Sequence, residues 1–182
     1  MRFGIIAVLA IALAWPGAAS ASKEGKVMVV RARTNAAAPQ LGADEAARQD
    51  STKIVRSEAE WRRLLTPEQF RILRGADTEL ACSGKYWKEH RRGIYRCAAC
   101  GYDLFSSDGK FESGTGWPSF WTPILASHLE VVTDTSLGMV REEVRCARCG
   151  SHLGHVFDDG PKPTGQRYCM NSEALTFVEV KK

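Results

Sequence analysis

The sequence predicts a mainly β, antiparallel domain that opens with short helices. The first observation behind this prediction is a series of short segments, rich in alternating or β-branched residues and bounded by Gly, Asp, Pro or Ser. The second is a pair of helix-start patterns ahead of these segments, and the third is a pair of CxxC motifs. The chain has 182 residues, 44% of them apolar. Because a domain takes roughly 100 to 200 residues, we expect one compact unit with extensions.

The charge balance argues against a protein that binds polyanions. Lys and Arg total 25 and Asp and Glu total 21, so the formal net charge is only +4. Nucleic-acid-binding and polybasic membrane proteins usually carry a denser basic stripe. We therefore expect no nucleic-acid partner.

Residues 1–21 have the features of a cleavable secretory signal peptide. Arg2 precedes an apolar run from Phe3 to Ala14, which is followed by a Pro-Gly helix break and a small-residue triplet that ends at Ala21. The apolar run is shorter than the roughly 20 residues that span a bilayer. We expect cleavage after Ala21, no stable membrane anchor, and a periplasmic or secreted protein.

Residues 22–50 are expected to form a flexible leader, and residues 51–182 the folded domain. The leader is rich in Ala and polar residues, so it buries too little apolar surface to offset its ordering entropy. Order is expected to begin near Ser57, where Ser57-x-x-Glu60 forms a capping box. A second box starts at Thr66 with Pro67 at the first helical position, and Gly75 is the expected end of that helix.

The predicted strands follow after Lys85. They are Gly93–Arg96, Lys110–Glu112, Leu129–Thr133, Met139–Val144 and Leu175–Val180. Asp108-Gly109 predicts a hairpin turn, and residues 136–138 predict a looser turn.

Two CxxC motifs predict a structural zinc site. Each motif is followed by Gly, and the four ligands would be Cys97, Cys100, Cys146 and Cys149. Two residues between thiolates let one tight turn present both sulfurs to a metal, and four thiolates complete a tetrahedral Zn²⁺ shell without an open position. Two redox CxxC pairs, or two disulfides in an oxidising compartment, are the alternatives.

Cys169 is the candidate nucleophile, because of the residues around it. Arg167 and Asn171 lie two residues away on either side, so in an extended strand all three side chains would share one face. A guanidinium beside a thiol favours the reactive thiolate. His152 and His155 are candidates to hold a water or substrate oxygen and to move protons, the alternatives being ordinary loop residues or zinc ligands.

The segment from Gly116 to Trp121 adds aromatic side chains. Trp117 and Phe120 within it are the candidate substrate-binding residues, and the alternative is that these aromatics belong to the core.

Together these motifs resemble the B-type methionine sulfoxide reductases. CxxC, GWPSF, CxxCG, HLGHVFDDGP and RYCMNS occur in that order between about Glu58 and Val180. The resemblance implies a small domain of two antiparallel sheets, a zinc held by the four cysteines, and reduction of the R epimer of methionine sulfoxide, free or protein-bound. It also implies that Cys169 is the nucleophile, that Trp117 packs on the substrate methyl group, and that a polar pocket surrounds them. The polar-pocket residues are His152, His155, Arg167 and Asn171.

The chain departs from this family pattern at one position. Many relatives carry a cysteine before GWPSF that resolves the sulfenic acid, whereas this chain has Thr115. Cys82 is the remaining non-zinc thiol, so we expect it to form the disulfide with Cys169 that a thioredoxin-like partner reduces. The alternative is a bystander Cys82, with Cys169 regenerated by an external thiol or a glutaredoxin-like donor.

A different class of protein stays open from the residues alone. A secreted zinc-ribbon binding module would explain the CxxC motifs and the aromatics, but it gives Cys169 and its neighbours no purpose. We also expect a monomer.

Overall fold

The computed structural model describes residues 29–30 and 41–181. The expected signal peptide lies outside the described residues, and so does most of the expected leader. The helices are α1 (Ala43–Arg48), α2 (Glu58–Leu64) and α3 (Pro67–Gly75). The strands are β1 (Val29–Val30), β2 (Gly93–Cys97), β3 (Asp103–Ser106), β4 (Lys110–Phe111), β5 (Ser119–Phe120), β6 (Leu129–Asp134), β7 (Arg141–Cys146), β8 (His152–Phe157), β9 (Arg167–Met170) and β10 (Leu175–Glu179).

The strands form two antiparallel sheets, which confirms the predicted fold class. The larger sheet has the order β1-β6-β7-β8-β9-β5-β4, and the smaller sheet has the order β10-β2-β3. Each strand pair within both sheets runs antiparallel. Among the described residues, no helix is long and apolar enough to cross a membrane.

Both predicted capping boxes are present and start α2 and α3. The Glu60 carboxylate accepts a hydrogen bond from the Ser57 backbone N–H at 2.8 Å, and the Glu60 N–H donates to the Ser57 hydroxyl. Thr66 and Gln69 repeat the arrangement at the start of α3. Helix α3 ends at Gly75 as predicted, and the next residue, Ala76, adopts the left-handed conformation with φ 52°.

Helix α1 lies inside the segment expected to be a flexible leader, so order begins earlier than predicted. Ala46 is fully buried against Ile94 and Ile124. The Gln49 side chain accepts a hydrogen bond from the Asp103 N–H at 2.9 Å, which fixes the end of the helix to β3. The apolar pattern could not reveal this helix, because its apolar contacts with the core are made by two small residues, Ala43 and Ala46.

The five predicted strands are present as β2, β4, β6, β7 and β10, with bounds shifted by up to two residues, but β1, β3, β5, β8 and β9 are not among the predicted strands. Strand β3 is buried at every position, so it lacks the alternation that marks a half-exposed strand. The predicted hairpin at Asp108-Gly109 is wrong. That turn is a single 3₁₀ segment, Ser107–Gly109, which carries the chain from β3 in the small sheet to β4 in the large one.

The main core lies between the sheets and under helix α3. Tyr95, Phe105 and Phe120 pack ring against ring, with Phe105 and Phe120 stacked at 4.4 Å between centroids. Helix α3 covers β8 and buries Ile72 and Leu73. This packing fixes β8 and its neighbour β9 relative to the rest of the domain.

We predict that Leu73→Ala destabilises the protein far more than Leu64→Ala. Leu73 is 1% exposed and Leu64 is 58% exposed, so the same truncation creates a cavity at one site only. The expected loss in free energy of unfolding is about 2 to 5 kcal/mol for Leu73 and about 0.5 kcal/mol or less for Leu64. Urea unfolding of the two variants measures the difference. Equal losses would contradict the packing of α3 described above.

Candidate active site and metal centre

The four CxxC cysteines meet in one cluster. Their sulfur atoms all lie within 4.8 Å of one another. The Cys97 and Cys149 sulfurs are 3.7 Å apart, and the Cys100 and Cys146 sulfurs are 3.6 Å apart. A tetrahedral ion with metal–sulfur bonds of about 2.3 Å sets its sulfurs about 3.8 Å apart, whereas a disulfide bond is about 2.05 Å long. The cluster therefore fits a tetrahedral metal ion and not a pair of disulfides.

The two CxxC turns have the same backbone design. In the first, the Gly101 N–H donates to the Cys97 carbonyl at 2.8 Å, and in the second the Gly150 N–H donates to the Cys146 carbonyl at 2.8 Å. Both glycines adopt positive φ, 73° and 70°, which a residue with a Cβ rarely does. Each turn follows a strand of a different sheet, β2 and β7. A metal bound here would tie the two sheets together.

Strand β9 places Cys169 between two neighbouring strands. Cys169 is paired with His155 of β8 and with Ser119 of β5. Opposite residues on antiparallel strands point to the same face with Cβ atoms about 4.5 to 5.5 Å apart. An imidazole, a thiol and a hydroxyl therefore lie side by side across the sheet. Tyr168 and Met170 point to the other face and are buried in the core.

Cys169 opens into a cavity of about 150 Å³. Aromatic and apolar groups form one part of its wall and polar groups the other. The lining residues are Thr78, Trp117, Arg141, Gly154, His155, Phe157, Cys169, Met170 and Asn171. The cavity therefore combines a thiol, an imidazole and an indole, as a pocket for a small polar group on an apolar side chain requires. A larger polar cavity of about 560 Å³ shares Thr78, Arg141 and His155 with it.

The groups around Cys169 shift the pKa of its thiol in opposite directions. Burial raises the pKa of the Cys169 thiol, while Thr115, Arg167 and Ser119 lower it in part. Arg167 thus acts in the direction that the sequence suggested, but burial outweighs it. Its guanidinium is also engaged elsewhere: it binds Asp159 through two hydrogen bonds of 2.8 Å and lies over the Phe157 ring.

His155 belongs to a partly buried set of hydrogen-bonded charged groups. Its Nε2 lies 2.9 Å from the Asp134 carboxylate, which also binds Arg141 at 2.6 Å. Since a carboxylate only accepts hydrogen bonds, Nε2 carries the hydrogen and Nδ1 is left as an acceptor when the ring is neutral. Burial lowers the pKa of His155, which favours that neutral form. Burial alone would raise the pKa of Asp134, but hydrogen bonds from Ser136, His155 and Arg141 lower it overall.

His152, like His155, binds a carboxylate that also binds an arginine, but it lies farther from the Cys169 sulfur. Its Nδ1 lies 2.7 Å from the Glu143 carboxylate, which also binds Arg145. Burial would raise the pKa of Glu143, but His152 and Arg145 lower it to about 2. His152 faces the larger polar cavity and is in edge contact with His155 at 5.5 Å between ring centroids. The structure therefore places His152 behind His155 and not in the wall of the sulfur pocket.

Asn171 and Trp117 are both held by Glu79, which sequence reasoning missed. Strand β9 ends at Met170, but Asn171 remains extended and lines the same cavity as Cys169. The Asn171 side-chain carbonyl accepts from the Glu79 N–H at 3.0 Å, and the Glu79 carbonyl accepts from the Trp117 indole N–H at 3.2 Å. The Glu79 carboxylate accepts from the N–H groups of the two residues that follow Asn171.

Phe120 is not in the pocket, which corrects its prediction as a substrate-binding residue. It is fully buried and packs against Tyr95 and Phe105 in the core. The reason is the alternation of side chains along β5: Ser119 points toward Cys169, so Phe120 points to the opposite face.

Cys82 is exposed and lies beside the loop that carries Thr115. Its N–H donates to the Gly116 carbonyl at 2.9 Å, and a Cβ added at Gly116 would stand 2.7 Å from the Cys82 sulfur. Cys82 has φ 65° in the turn closed by the hydrogen bond from the Ser83 N–H to the Leu80 carbonyl. Such a turn position favours glycine, so this cysteine sits in a strained conformation that a rearrangement would relieve.

Several site residues escaped the sequence analysis. They are Thr78, Glu79, Asp134, Arg141, Glu143 and Arg145, together with the hydroxyl groups of Ser113 and Ser119. Each is an ordinary charged or polar residue in the sequence, and none stands at a fixed spacing from a cysteine or histidine. The strand pairing of β6, β7 and β8 brings the charged pairs to the histidines, and single-sequence patterns do not reveal such pairing.

Comparison with known proteins supports the family resemblance. A model of the SelR domain matches residues 65–179. A peptide methionine sulfoxide reductase MsrB of Thiobacillus denitrificans is 58% identical over 127 residues, which cover 70% of this chain and 96% of the relative. Proteins of the same name from Methanosarcina mazei and Agrobacterium fabrum are 57% identical over 127 residues and 52% identical over 130 residues, covering 70% and 71% of this chain and 91% and 96% of the relatives. The chain therefore belongs to the SelR-domain family of B-type methionine sulfoxide reductases.

Proposed function

We propose that this protein reduces the R epimer of methionine sulfoxide, with Cys169 as the nucleophile. The observation that carries the proposal is the pairing of Cys169 with His155 across β8 and β9, at the floor of a pocket walled by Trp117. A zinc-ribbon binding module would need the metal cluster alone. It would leave a thiol, an imidazole and an indole converging on one small cavity without a purpose.

The proposed reaction transfers the sulfoxide oxygen to Cys169. The Cys169 sulfur attacks the sulfoxide sulfur, and the oxygen takes up the proton that the Cys169 thiol releases. The S–S bond of this adduct and the substrate S–O bond then break as the oxygen becomes bonded to the Cys169 sulfur. Methionine leaves with its sulfur reduced by two electrons, and Cys169 becomes a sulfenic acid, oxidised by two electrons. His155, which Asp134 orients, holds and moves the proton near the oxygen. Trp117 supplies an apolar wall for the substrate methyl group.

Cys169→Ser is expected to abolish catalysis. With dithiothreitol as reductant, loss of methionine R-sulfoxide should fall to the rate of dithiothreitol alone, because a serine hydroxyl cannot form the sulfenic acid. Chromatography of free methionine and its two sulfoxide epimers measures the rate and the stereochemistry together. Turnover by the variant equal to that of the wild type would sink the proposal and return the binding module as the better explanation.

We propose further that Cys82 resolves the sulfenic acid. Its thiol condenses with the Cys169 sulfenic acid to give a disulfide and one water molecule. The Cα atoms must then approach to about 7 Å or less, so the turn at Leu80–Ser83 has to rearrange. Three features support this step: the exposure of Cys82, its position against Gly116 next to Thr115, and its positive φ. A thioredoxin-like dithiol would then reduce the disulfide.

Mass spectrometry tests the resolving step directly. Treatment of the reduced protein with one equivalent of methionine sulfoxide, without reductant, should give a peptide pair joined through Cys82 and Cys169. Cys82→Ser should instead accumulate a sulfenic acid on Cys169 that dimedone traps, and it should lose turnover supported by thioredoxin while dithiothreitol still supports it. A stable sulfenic acid beside an untouched Cys82 thiol in the wild type would show that Cys82 is a bystander.

The metal of the four-cysteine cluster is proposed to be Zn²⁺. Four thiolates in a tetrahedron suit this ion, and the closed shell leaves no position for a substrate. The residues that would hold it are Cys97, Cys100, Cys146 and Cys149. The ion would supply folding stability, while the reaction proceeds at Cys169.

Cys146→Ser is expected to lose the metal and the stability of the domain. Structural zinc in small domains contributes binding free energies of about 10 kcal/mol or more to folding, and serine is a poor ligand in such a site. Elemental analysis and thermal unfolding measure both effects, and Cys82→Ser serves as the control that removes a thiol outside the cluster. A wild-type melting temperature for Cys146→Ser without bound metal would contradict a structural role.

The cellular setting is part of the proposal. We propose that the protein is exported to the periplasm or secreted, acts mainly on protein-bound methionine sulfoxide, and works as a monomer. The signal-like residues 1–21 support export. The open pocket beside a larger polar cavity supports a substrate that continues beyond one side chain.

A further inference from the structure

A chain of hydroxyl groups leads from the core to the sulfur of Cys169. The Ser119 hydroxyl lies 3.2 Å from the Trp117 carbonyl and 2.7 Å from the Ser113 hydroxyl. The Ser113 hydroxyl lies 2.8 Å from that of Thr115, and the Thr115 hydroxyl lies 3.9 Å from the Cys169 sulfur. The reaction outlined above does not use these groups.

The direction of the chain follows from counting hydrogens, since each hydroxyl has one to donate. The Trp117 carbonyl can only accept, so Ser119 donates to it. Ser113 must then donate to Ser119, and Thr115 must donate to Ser113. The last contact is left with Cys169 as the donor. In this order the chain serves a protonated Cys169 thiol.

The same chain can run in the opposite direction when Cys169 is ionised. Thr115 then donates to the thiolate, Ser113 donates to Thr115, and Ser119 donates to Ser113. The only bond given up is the one from Ser119 to the Trp117 carbonyl, at 3.2 Å the longest of the hydroxyl-to-oxygen contacts in the chain. In exchange, the sulfur gains a hydrogen bond to a charged atom, which is roughly twice as strong as a neutral one. Only the hydroxyl hydrogens rotate, and no heavy atom has to move.

We propose that Thr115 is a further catalytic residue, which accepts from the Cys169 thiol and donates to its thiolate, and that Ser113 and Ser119 are positioning residues that allow this reversal. This inference rests on the proposed role of Cys169 as the nucleophile. This series of hydroxyl groups lets one pocket stabilise both the thiol and the thiolate of Cys169. The residue that replaces the cysteine found in many relatives therefore has a function of its own.

The other charged groups around the Cys169 sulfur are hydrogen-bonded to other partners. Arg167 of β9 is held by Asp159 and stacked on Phe157, and His155 of β8 donates to Asp134. Arg141 of β7, which lines the same pocket, is also bound to Asp134. Strand β5 presents Ser119, whose side chain is completely buried. Burial raises the pKa of the thiol, and Thr115 is the foremost of the groups that oppose it.

Alkylation of Cys169 tests the proposal without requiring sulfoxide reduction. Iodoacetamide reacts with the thiolate, and peptide mass spectrometry reports the rate at Cys169 alone from neutral to alkaline pH. The variants are Thr115→Val, which keeps the shape and removes the hydroxyl, and Thr115→Ser, which keeps the hydroxyl. Both are made in the zinc-loaded full chain with Cys82→Ser, so that no second reactive thiol interferes.

Thr115→Val should slow alkylation at neutral pH by roughly tenfold, the effect of losing one hydrogen bond to a charged group. Its profile should shift to higher pH and converge with the parent protein where the thiol is fully ionised. Thr115→Ser should stay within about twofold of the parent, since one hydroxyl replaces another. Ser113→Ala, which removes the partner of Thr115, should give an intermediate loss and remains informative should Thr115→Val fail to fold.

Two results would overturn the proposal. One is a profile for Thr115→Val, or for Ser113→Ala where that variant stands in, that matches the parent protein. The other is a rate lowered equally at every pH, which would show restricted access instead of a changed ionisation. Either result is separate from a failure of the proposed function, which appears as sulfoxide reduction that survives Cys169→Ser.

Discussion

The site depends on the register of three antiparallel strands, β8, β9 and β5. Tyr168 and Met170 anchor β9 in the core, and a slip by one residue would put Cys169 in their place and expose them. Gly154 allows β8 to come close to β9, because a Cβ there would stand 2.1 Å from the Cys169 carbonyl. The position of the Cys169 sulfur is therefore fixed by buried apolar neighbours and by one glycine, more than by any bond to the sulfur itself.

Electrostatics adds a second layer to this geometry. Strands β6, β7 and β8 give His152 and His155 one carboxylate partner each, and each of these carboxylates binds an arginine. Burying charged groups is expensive, and removing one member of such a set leaves its partner uncompensated. The two sets differ in position: the His155 set borders both the sulfur pocket and the larger polar cavity, whereas the His152 set borders only the larger cavity. Asp134, which Arg141 also binds, thus keeps the His155 imidazole in one orientation.

The sequence predicts local features well and long-range neighbours poorly. The capping boxes of α2 and α3, the strands with alternating patterns and the paired CxxC turns depend on residues close together in the chain, and all are present. The prediction of Phe120 as a substrate-binding residue is wrong because the neighbouring sequence does not reveal which of two adjacent residues in a short strand faces the core. Asp134 and Glu143 were missed because only the pairing of β6, β7 and β8 brings them to the histidines. Helix α1 was missed because two alanines are too weak a signal.

The separation of the six cysteines into two groups follows from the same fold. Cys97 ends a strand of the small sheet and Cys146 ends a strand of the large sheet, so a metal between them acts as a crosslink between the layers. Closing the long loop between the two turns adds little entropic cost, since that cost grows only with the logarithm of loop length. Three of the four cluster cysteines are buried and the fourth is partly buried, and metal ligation would occupy all four sulfurs. Cys169, which opens into the pocket, and Cys82, which is exposed, are then the thiols free to react. A metal bound by the cluster would withhold its four sulfurs from oxidation, and the position of Cys169 and Cys82 would then direct oxidation to these two.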